Sequence, residues 1–340
     1  MRVATASVLV ALLGGPARAQ GVPPINLYRF ILGVDVPESP AFVAMGVAPT
    51  HVLKGSAPKP ITASLLDALP SSSRSTPGVS LDVTPYFLVG GGVRDLARYR
   101  SGSIAGRLTR VLTKTLLSVG AAGLPDDPGS PLVGFAVRST LHDPHDPVLN
   151  SRLPEEIAAE LAREDVPAAH PTEEDVTDRG VDLSAVYARA RSAMRARSGD
   201  AQVSGGWGMM ARARGGVLDD DSLGGMRHTL WLSAQYTFGR RFDILATVQL
   251  RNAFHATDRL WVGAALLRKT TMADVHAELY YDTQSGDLHP GLAVDARASA
   301  HLGIVASLSA QPDAPALVGT RRLQFRALVR WFAASDRPVP

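Results

Sequence analysis

The sequence predicts an all-β chain, a transmembrane antiparallel up-and-down β-barrel of about twelve strands with a helical periplasmic insert. Three observations carry that expectation. Between positions 202 and 332, segments of about ten residues alternate apolar with polar or small side chains, as a wall does that has lipid on one side and water on the other. In residues 241–252, Phe242, Ile244, Ala246, Val248 and Leu250 share one face, Asp243, Thr247, Gln249 and Arg251 share the other, and Leu245 alone is out of phase. Strand length is the second observation: soluble strands most often run about five or six residues, whereas a tilted bilayer crossing needs about nine to eleven. The third is that every apolar run after the first twenty residues is broken by charge, Gly or Pro, well short of the ~20 residues a transmembrane helix requires.

Taken in order, residues 1–19 read as a secretion signal. Arg2 gives a basic start, 3–13 is apolar, and Ala17-Arg18-Ala19 has the small-x-small pattern of a cleavage site, so cleavage is expected after Ala19. Residues 20–141 hold the N-terminal segment and the first barrel strands, expected at 79–88, 107–120 and 132–141. One more strand, at 26–36 or 41–47, is required because both ends of an even-stranded barrel lie on one side. Pro85 predicts a bulge or weak point.

Residues 142–200 change character. Stretches 153–164 and 182–197 have helical composition, with Leu153, Ile157 and Leu161 on one stripe and Val186, Ala190 and Met194 on another. Strand parity places this insert in the periplasm, where it would close the barrel mouth or meet a protein partner; a partly helical, Pro-rich linker is the alternative. Residues 201–332 supply the remaining strands, at 202–214, 227–238, 241–252, 258–269, 273–282, 290–299, 302–309 and 321–332, and 333–340 form a tail. Short connections at 239–240, 270–272 and 300–301 alternate with longer ones at 215–226, 283–289 and 310–320, the turn-and-loop asymmetry of a bacterial barrel.

Composition removes other classes. Without cysteine there is no disulfide framework, and a net charge of +3 with mixed signs implies no nucleic acid. Aromatic residues, at 6%, are sparse for a membrane barrel, and alternation alone also fits a soluble sandwich. A secreted soluble β-rich binding protein is therefore the competing expectation.

The signal, the long alternating strands and the final segment Leu323-Gln324-Phe325-Arg326-Ala327-Leu328-Val329-Arg330-Trp331-Phe332 resemble Gram-negative outer membrane β-barrel proteins of porin-like, uncharacterised kind. Ser39-Pro40-Ala41-Phe42 and Thr84-Pro85-Tyr86-Phe87 are similar to stretches in such barrels. The resemblance implies an outer membrane location, contact with its lipid and lipopolysaccharide, and a terminal aromatic, Phe332, read by the barrel assembly machinery. The chain departs from that pattern by running on eight residues to Pro340. No catalytic residue is implied.

Function is expected on the inward face. Lys114, Arg138, Arg212, Gln249, Arg251, His276, Glu278, Asp295, Arg297, Gln324, Arg326 and Arg330 fall on the polar phase, since a lipid-facing Arg or Lys at mid-membrane costs ~2–4 kcal/mol. They read either as a pore lining that biases passage of small polar solutes or as the ion pairs of a filled lumen in a structural envelope component. Trp207, Phe238, Phe242, Tyr280, Tyr281, Trp331 and Phe332 are placed for interfacial girdles. His142-Asp143-Pro144-His145-Asp146 could ligate a metal, but Pro and Asp are ordinary turn residues at a strand exit. Asp219-Asp220-Asp221 reads as a solvated acidic loop, or as a divalent-ion site bridging lipopolysaccharide. Gly205-Gly206-Trp207-Gly208 lacks a nucleophile, Gly90-Gly91-Gly92 lacks a phosphate-binding Lys, and there is no His-Glu-x-x-His. No enzyme, cofactor or metal is expected.

Overall fold

A computed structural model describes residues 38–55, 60–67, 77–88, 96–124, 127–144, 146, 149, 153–164, 186, 189–190, 193, 201–213, 215–220, 225–239, 241–253, 258–270, 273–298, 302–310 and 323–332. The expected signal (1–19), the candidate strand at 26–36, positions 311–320 and the tail 333–340 lie outside the described residues.

Twelve strands form one closed antiparallel barrel. They are β1 (Ile61–Leu66), β2 (Gly78–Val83), β3 (Thr115–Leu124), β4 (Asp127–His142), β5 (Ala201–Arg212), β6 (Arg227–Phe238), β7 (Phe242–Ala253), β8 (Arg259–Lys269), β9 (Ala273–Asp282), β10 (Asp287–Arg297), β11 (Leu302–Ala310) and β12 (Leu323–Phe332). Each pairs with its neighbours in sequence, and the pairs Ala63↔Trp331 and Leu65↔Val329 close the ring. β1 begins and β12 finishes at the same end, called proximal below; the other end is distal. Among the described residues, the helices with both ends defined are α1 (Pro40–Met45), α2 (Pro85–Leu88), α3 (Leu96–Arg100), α4 (Ile104–Thr113) and α5 (Leu153–Arg163).

The alternation predicts which way side chains point. On β6 to β12 the apolar row faces out and is exposed, including Leu232, Ile244, Val248, Val262, Leu279, Leu292, Ile304, Leu308 and Phe325. Leu65, Val79 and Val119 continue it across β1, β2 and β3. A soluble monomer rarely shows a contiguous apolar patch beyond a few hundred Å², so an apolar belt running across ten of the twelve strands is a hydrocarbon-facing surface. Phe238 and Phe242 pair across the tight proximal turn between β6 and β7, and Trp331 faces out near the same end.

Four expectations are corrected, the first three in the N-terminal half. Residues 41–47 supply no strand, because Pro40 opens α1 and Gly46, at φ 73°, closes it; the strand that completes the ring is β1. Residues 107–120 divide, with α4 ending at Thr113 and β3 starting at Thr115, because Ile104, Leu108 and Leu112 recur at helical spacing. The strand from 79 stops at Val83, and Pro85 starts α2 instead of making a bulge, consistent with proline's place in a first helical turn. Finally, loop lengths are less regular than expected. β3 and β4 are separated by positions 125–126 alone, and β9 and β10 by the turn at 283–286, so His289 and Pro290 belong to β10.

Candidate functional site

The inside of the barrel is occupied by the chain's own residues 38–55. From Glu38 at the proximal side, α1 rises along the wall, the chain turns at 46–51, and Val52 to Gly55 descend to the start of β1. All six residues of α1 are buried. Room for the helix comes from wall glycines. A Cβ on Gly120, Gly134 or Gly208 would sit 3.2 Å from the Cβ of Ala41, 2.8 Å from Met45 Cγ and 2.5 Å from the Cβ of Ala44, respectively. β3, β4 and β5 thus present a groove that fits backbone against backbone. Phe42, Val43, Met45, Val47 and Leu53 form a buried cluster with Leu66, Ala136, Trp231, Ala293, Val305 and Leu328 of the wall.

Polar wall residues bind the plug's backbone. Glu278 accepts from the N–H groups of His51 and Val52, each at 2.9 Å. Leu53 N–H donates to Thr247 Oγ1 at 2.9 Å and Gly55 N–H to Gln235 at 2.6 Å. Gln249 donates to the His51 carbonyl at 2.6 Å, Arg326 to that of Val47 at 2.5 Å, and Arg138 to that of Lys54. Charges close the arrangement: Asp295 holds Lys54 at 2.6 Å and Arg330 at 2.7 Å, and Glu38 lies 3.8 Å from Arg138. Ser39 donates to Asp82 at 2.8 Å, and Ser118 accepts from Ala41 N–H at 2.9 Å.

Towards the distal end the plug ends on stacked rings. His51 lies on Tyr280 with centroids 4.3 Å apart, Tyr280 stacks with Trp261 at 5.3 Å and His289 at 5.0 Å, and the Arg251 guanidinium covers Trp261 at 3.5 Å. Such contacts strengthen where water is excluded. Tyr280 therefore faces the lumen, not the girdle expected for it. Phe332 is buried as well.

Of the twelve side chains expected in the lumen, Arg138, Gln249, Glu278, Asp295, Arg326 and Arg330 bind the plug or its ion pairs, and Arg251 covers the ring stack. Gln324 accepts from Arg326 at 3.2 Å. Neither ring nitrogen of buried His276 has a hydrogen-bond partner among the described residues; it borders a cavity of about 10 Å³ with Glu38, Thr50, Lys54, Asp295 and Arg330. Arg212 sits half-exposed at the distal end, paired with Asp127 at 2.6 Å. The side chain of Arg297 lies outside the described residues.

Lys114 is not on a strand. It caps α4 and pairs with Asp143 at 3.1 Å and Asp146 at 2.6 Å, while Tyr99 donates to Asp146 at 2.5 Å. The two aspartates of the suspected metal cluster are thus engaged by a cation and a phenol. Burial, followed by the charge of Asp146, pushes the Tyr99 phenol well above its ordinary range. In the insert, Glu160 binds Arg189 at 3.1 Å, and Ile157, Leu161, Val186 and Ala190 are buried.

A ring of twelve strands, an apolar exterior and a polar, occupied interior decide the architecture. The chain has the fold of an outer membrane β-barrel. No family model matches it, and no curated protein does. Among solved structures, the barrel is similar to the KdgM porin in complex with disordered oligogalacturonate, at 6% identity over 81% of this chain and 99% of that one, TM-score 0.42. It is similar also to the Acinetobacter baumannii outer membrane protein Omp33, at 8% identity over 80% and 96%, TM-score 0.37. A third is the NanC porin, at 5% identity over 81% and 98%, TM-score 0.38.

The plug residues Glu38 and Lys54, and their neighbours' wall partners Asp82, Ser118 and Gln235, are not among the lumen residues that strand phase singles out. A signal for them does exist: Trp231, Leu245, Trp261, Leu267 and Leu328 are large apolar side chains on the polar phase, and all are buried inside. A water-filled pore has no use for them. Leu245 and Leu267 pack with Val52 of the plug.

Proposed function

We propose that this chain is a gated outer membrane channel, closed at rest by its own residues 38–55, with the proximal end in the periplasm. It passes small polar solutes only when that segment leaves the lumen. The observation that supports this reading most is that the plug is bound to the wall by side chains, while both of its ends lie at one mouth. It can be withdrawn as a unit without breaking any strand pair. The vacated wall would present Arg138, Gln235, Thr247, Gln249, Glu278, Asp295, Arg326 and Arg330, groups that water can solvate.

An always-open pore does not fit. Each 1.4 kcal/mol holding the plug makes the open state tenfold rarer, and the plug is held by the Lys54–Asp295 ion pair, by hydrogen bonds from wall side chains and by an apolar core. Opening therefore needs an input, such as a protein partner at residues 142–200 on the periplasmic side. Lipid and lipopolysaccharide surround the belt, and no catalytic step is part of this reading. The second reading is a structural envelope barrel, favoured by the apolar share of the plug contact.

Single-channel recording in planar bilayers separates the two. The wild type should be nearly silent, and a variant lacking 38–55, shown to fold by heat-modifiable gel mobility, should open in discrete steps. A lock complements it: a Cβ on Gly120 would lie 3.2 Å from that of Ala41, close to the ~3.5–4.5 Å of a disulfide, and the chain has no other cysteine. Openings of an A41C/G120C barrel should appear only on reduction. A folded deletion variant that stays silent would establish the structural role, and an oxidised A41C/G120C barrel that opens as often as the reduced one would show that the segment is no gate.

A further inference from the structure

We propose that α4 is a membrane-interfacial helix, seating its outer face in the phospholipid leaflet at the barrel's proximal end; this rests on the membrane placement just argued. The helix is inside out. Gly106, Thr109 and Thr113 form its buried side, and a Cβ on Gly106 would come within 2.5 Å of the Arg98 carbonyl. Its exposed side carries Ile104 (86% exposed), Leu108 (53%), Val111 (40%) and Leu112 (44%). A helix on a water-soluble surface shows the opposite arrangement, apolar stripe inward and polar face outward.

Its position names the solvent. The Val111 carbonyl accepts from Thr115 Oγ1 at 2.7 Å and lies 3.5 Å from Ser139 Oγ. Thr115 and Ser139 are register partners on the outward phase, at the proximal ends of β3 and β4. The next outward position on β4, Leu141, is 60% exposed. The apolar side of α4 therefore continues the lipid-facing belt beyond the strands, at the depth where headgroups begin. Exposed Arg107 borders that side, and Arg110 reaches back to the carbonyls of Tyr99 and Ser101 at 2.5 and 3.0 Å. An apolar face flanked by a cation is the pattern of helices that lie in anionic lipid interfaces. A soluble protein partner would have to dock edge-on against the bilayer to cover the same side chains.

Single cysteines carrying an environment-sensitive fluorophore test it, in phosphatidylethanolamine–phosphatidylglycerol vesicles containing spin-labelled lipid. Leu108→Cys reports α4, Val262→Cys the mid-wall belt, and Val217→Cys an exposed distal loop. The label at 108 should be blue-shifted, quenched by lipid at least half as strongly as at 262, and shielded from aqueous iodide, while 217 behaves oppositely. An I104D substitution should abolish lipid quenching at 108. Quenching at 262 with none at 108 overturns the proposal and leaves the barrel's placement intact, whereas no quenching at 262 overturns the placement itself. Shielding at 108 that disappears when protein is diluted into more lipid would assign the face to a second copy, again against the proposal.

Discussion

α1 and α4 are both short helices, and neither follows the pattern of a helix on a soluble protein. α1 is apolar along its whole length and fully buried, packed into a glycine groove inside the barrel. α4 turns glycine and threonine to the protein and leucine, isoleucine and valine outward. The difference lies in what surrounds each. Protein wall surrounds α1, so no face needs to meet water. α4 has protein on one side only, and its other side matches the belt beside it. In a barrel the usual inside-outside rule is replaced by three environments, lumen, lipid and water, and a helix reports which one it touches.

The largest break in that comparison is expected at Phe42. Phe42→Ala removes a fully buried ring from the plug's core and should destabilise the barrel by about 3–5 kcal/mol, read as a lower urea midpoint of tryptophan fluorescence in vesicles. A change below about 1 kcal/mol would mean that α1 folds independently of the wall, and the contrast with α4 would lose its basis. Gly208→Val comes next. Its Cβ would fall 2.5 Å from that of Ala44, with backbone on one side and a helix on the other, so overpacking should cost about 1–3 kcal/mol. The same readout applies, and unchanged stability would show that the helix rides loosely in its groove.

Much of the barrel is legible in the sequence because lipid and wall impose a period of two. β6 to β9 and β12 fall where alternation puts them, since each outward side chain meets hydrocarbon whatever the rest of the chain does. The N-terminal half is harder because its partners are not periodic. β1 has six residues and offers little pattern, and α4 shares a face with the strand that follows, so Arg107 to Gly120 reads as one element. The plug is least legible. Its wall contacts are glycines and polar side chains whose phase says inward but not what they bind, and Arg138 or Glu278 would look the same facing water. Only Leu245 and its apolar neighbours on the polar phase carry the trace of a dry interior.

The smallest expected effect sharpens the α4 side, at the cluster that ties its base to the barrel. Arg110 donates to the Tyr99 carbonyl, and the Tyr99 hydroxyl donates to Asp146, which also holds Lys114. Tyr99→Phe deletes one hydrogen bond and should cost about 1 kcal/mol at neutral pH. Its pH dependence is the more specific reading. Burial and the neighbouring carboxylate raise the folded phenol above the unfolded value of 10.0, so the folded chain keeps a proton that the unfolded chain releases. That contribution is complete below pH 10 and declines as pH climbs further, because stability falls wherever the folded state binds more protons. Wild-type stability should therefore drop above pH 10 with a slope that Tyr99→Phe lacks. Parallel slopes in the two proteins would place Tyr99 in water, and α4 would then be fastened to the barrel without the phenol, by its arginine and lysine contacts and by the Val111 carbonyl at Thr115.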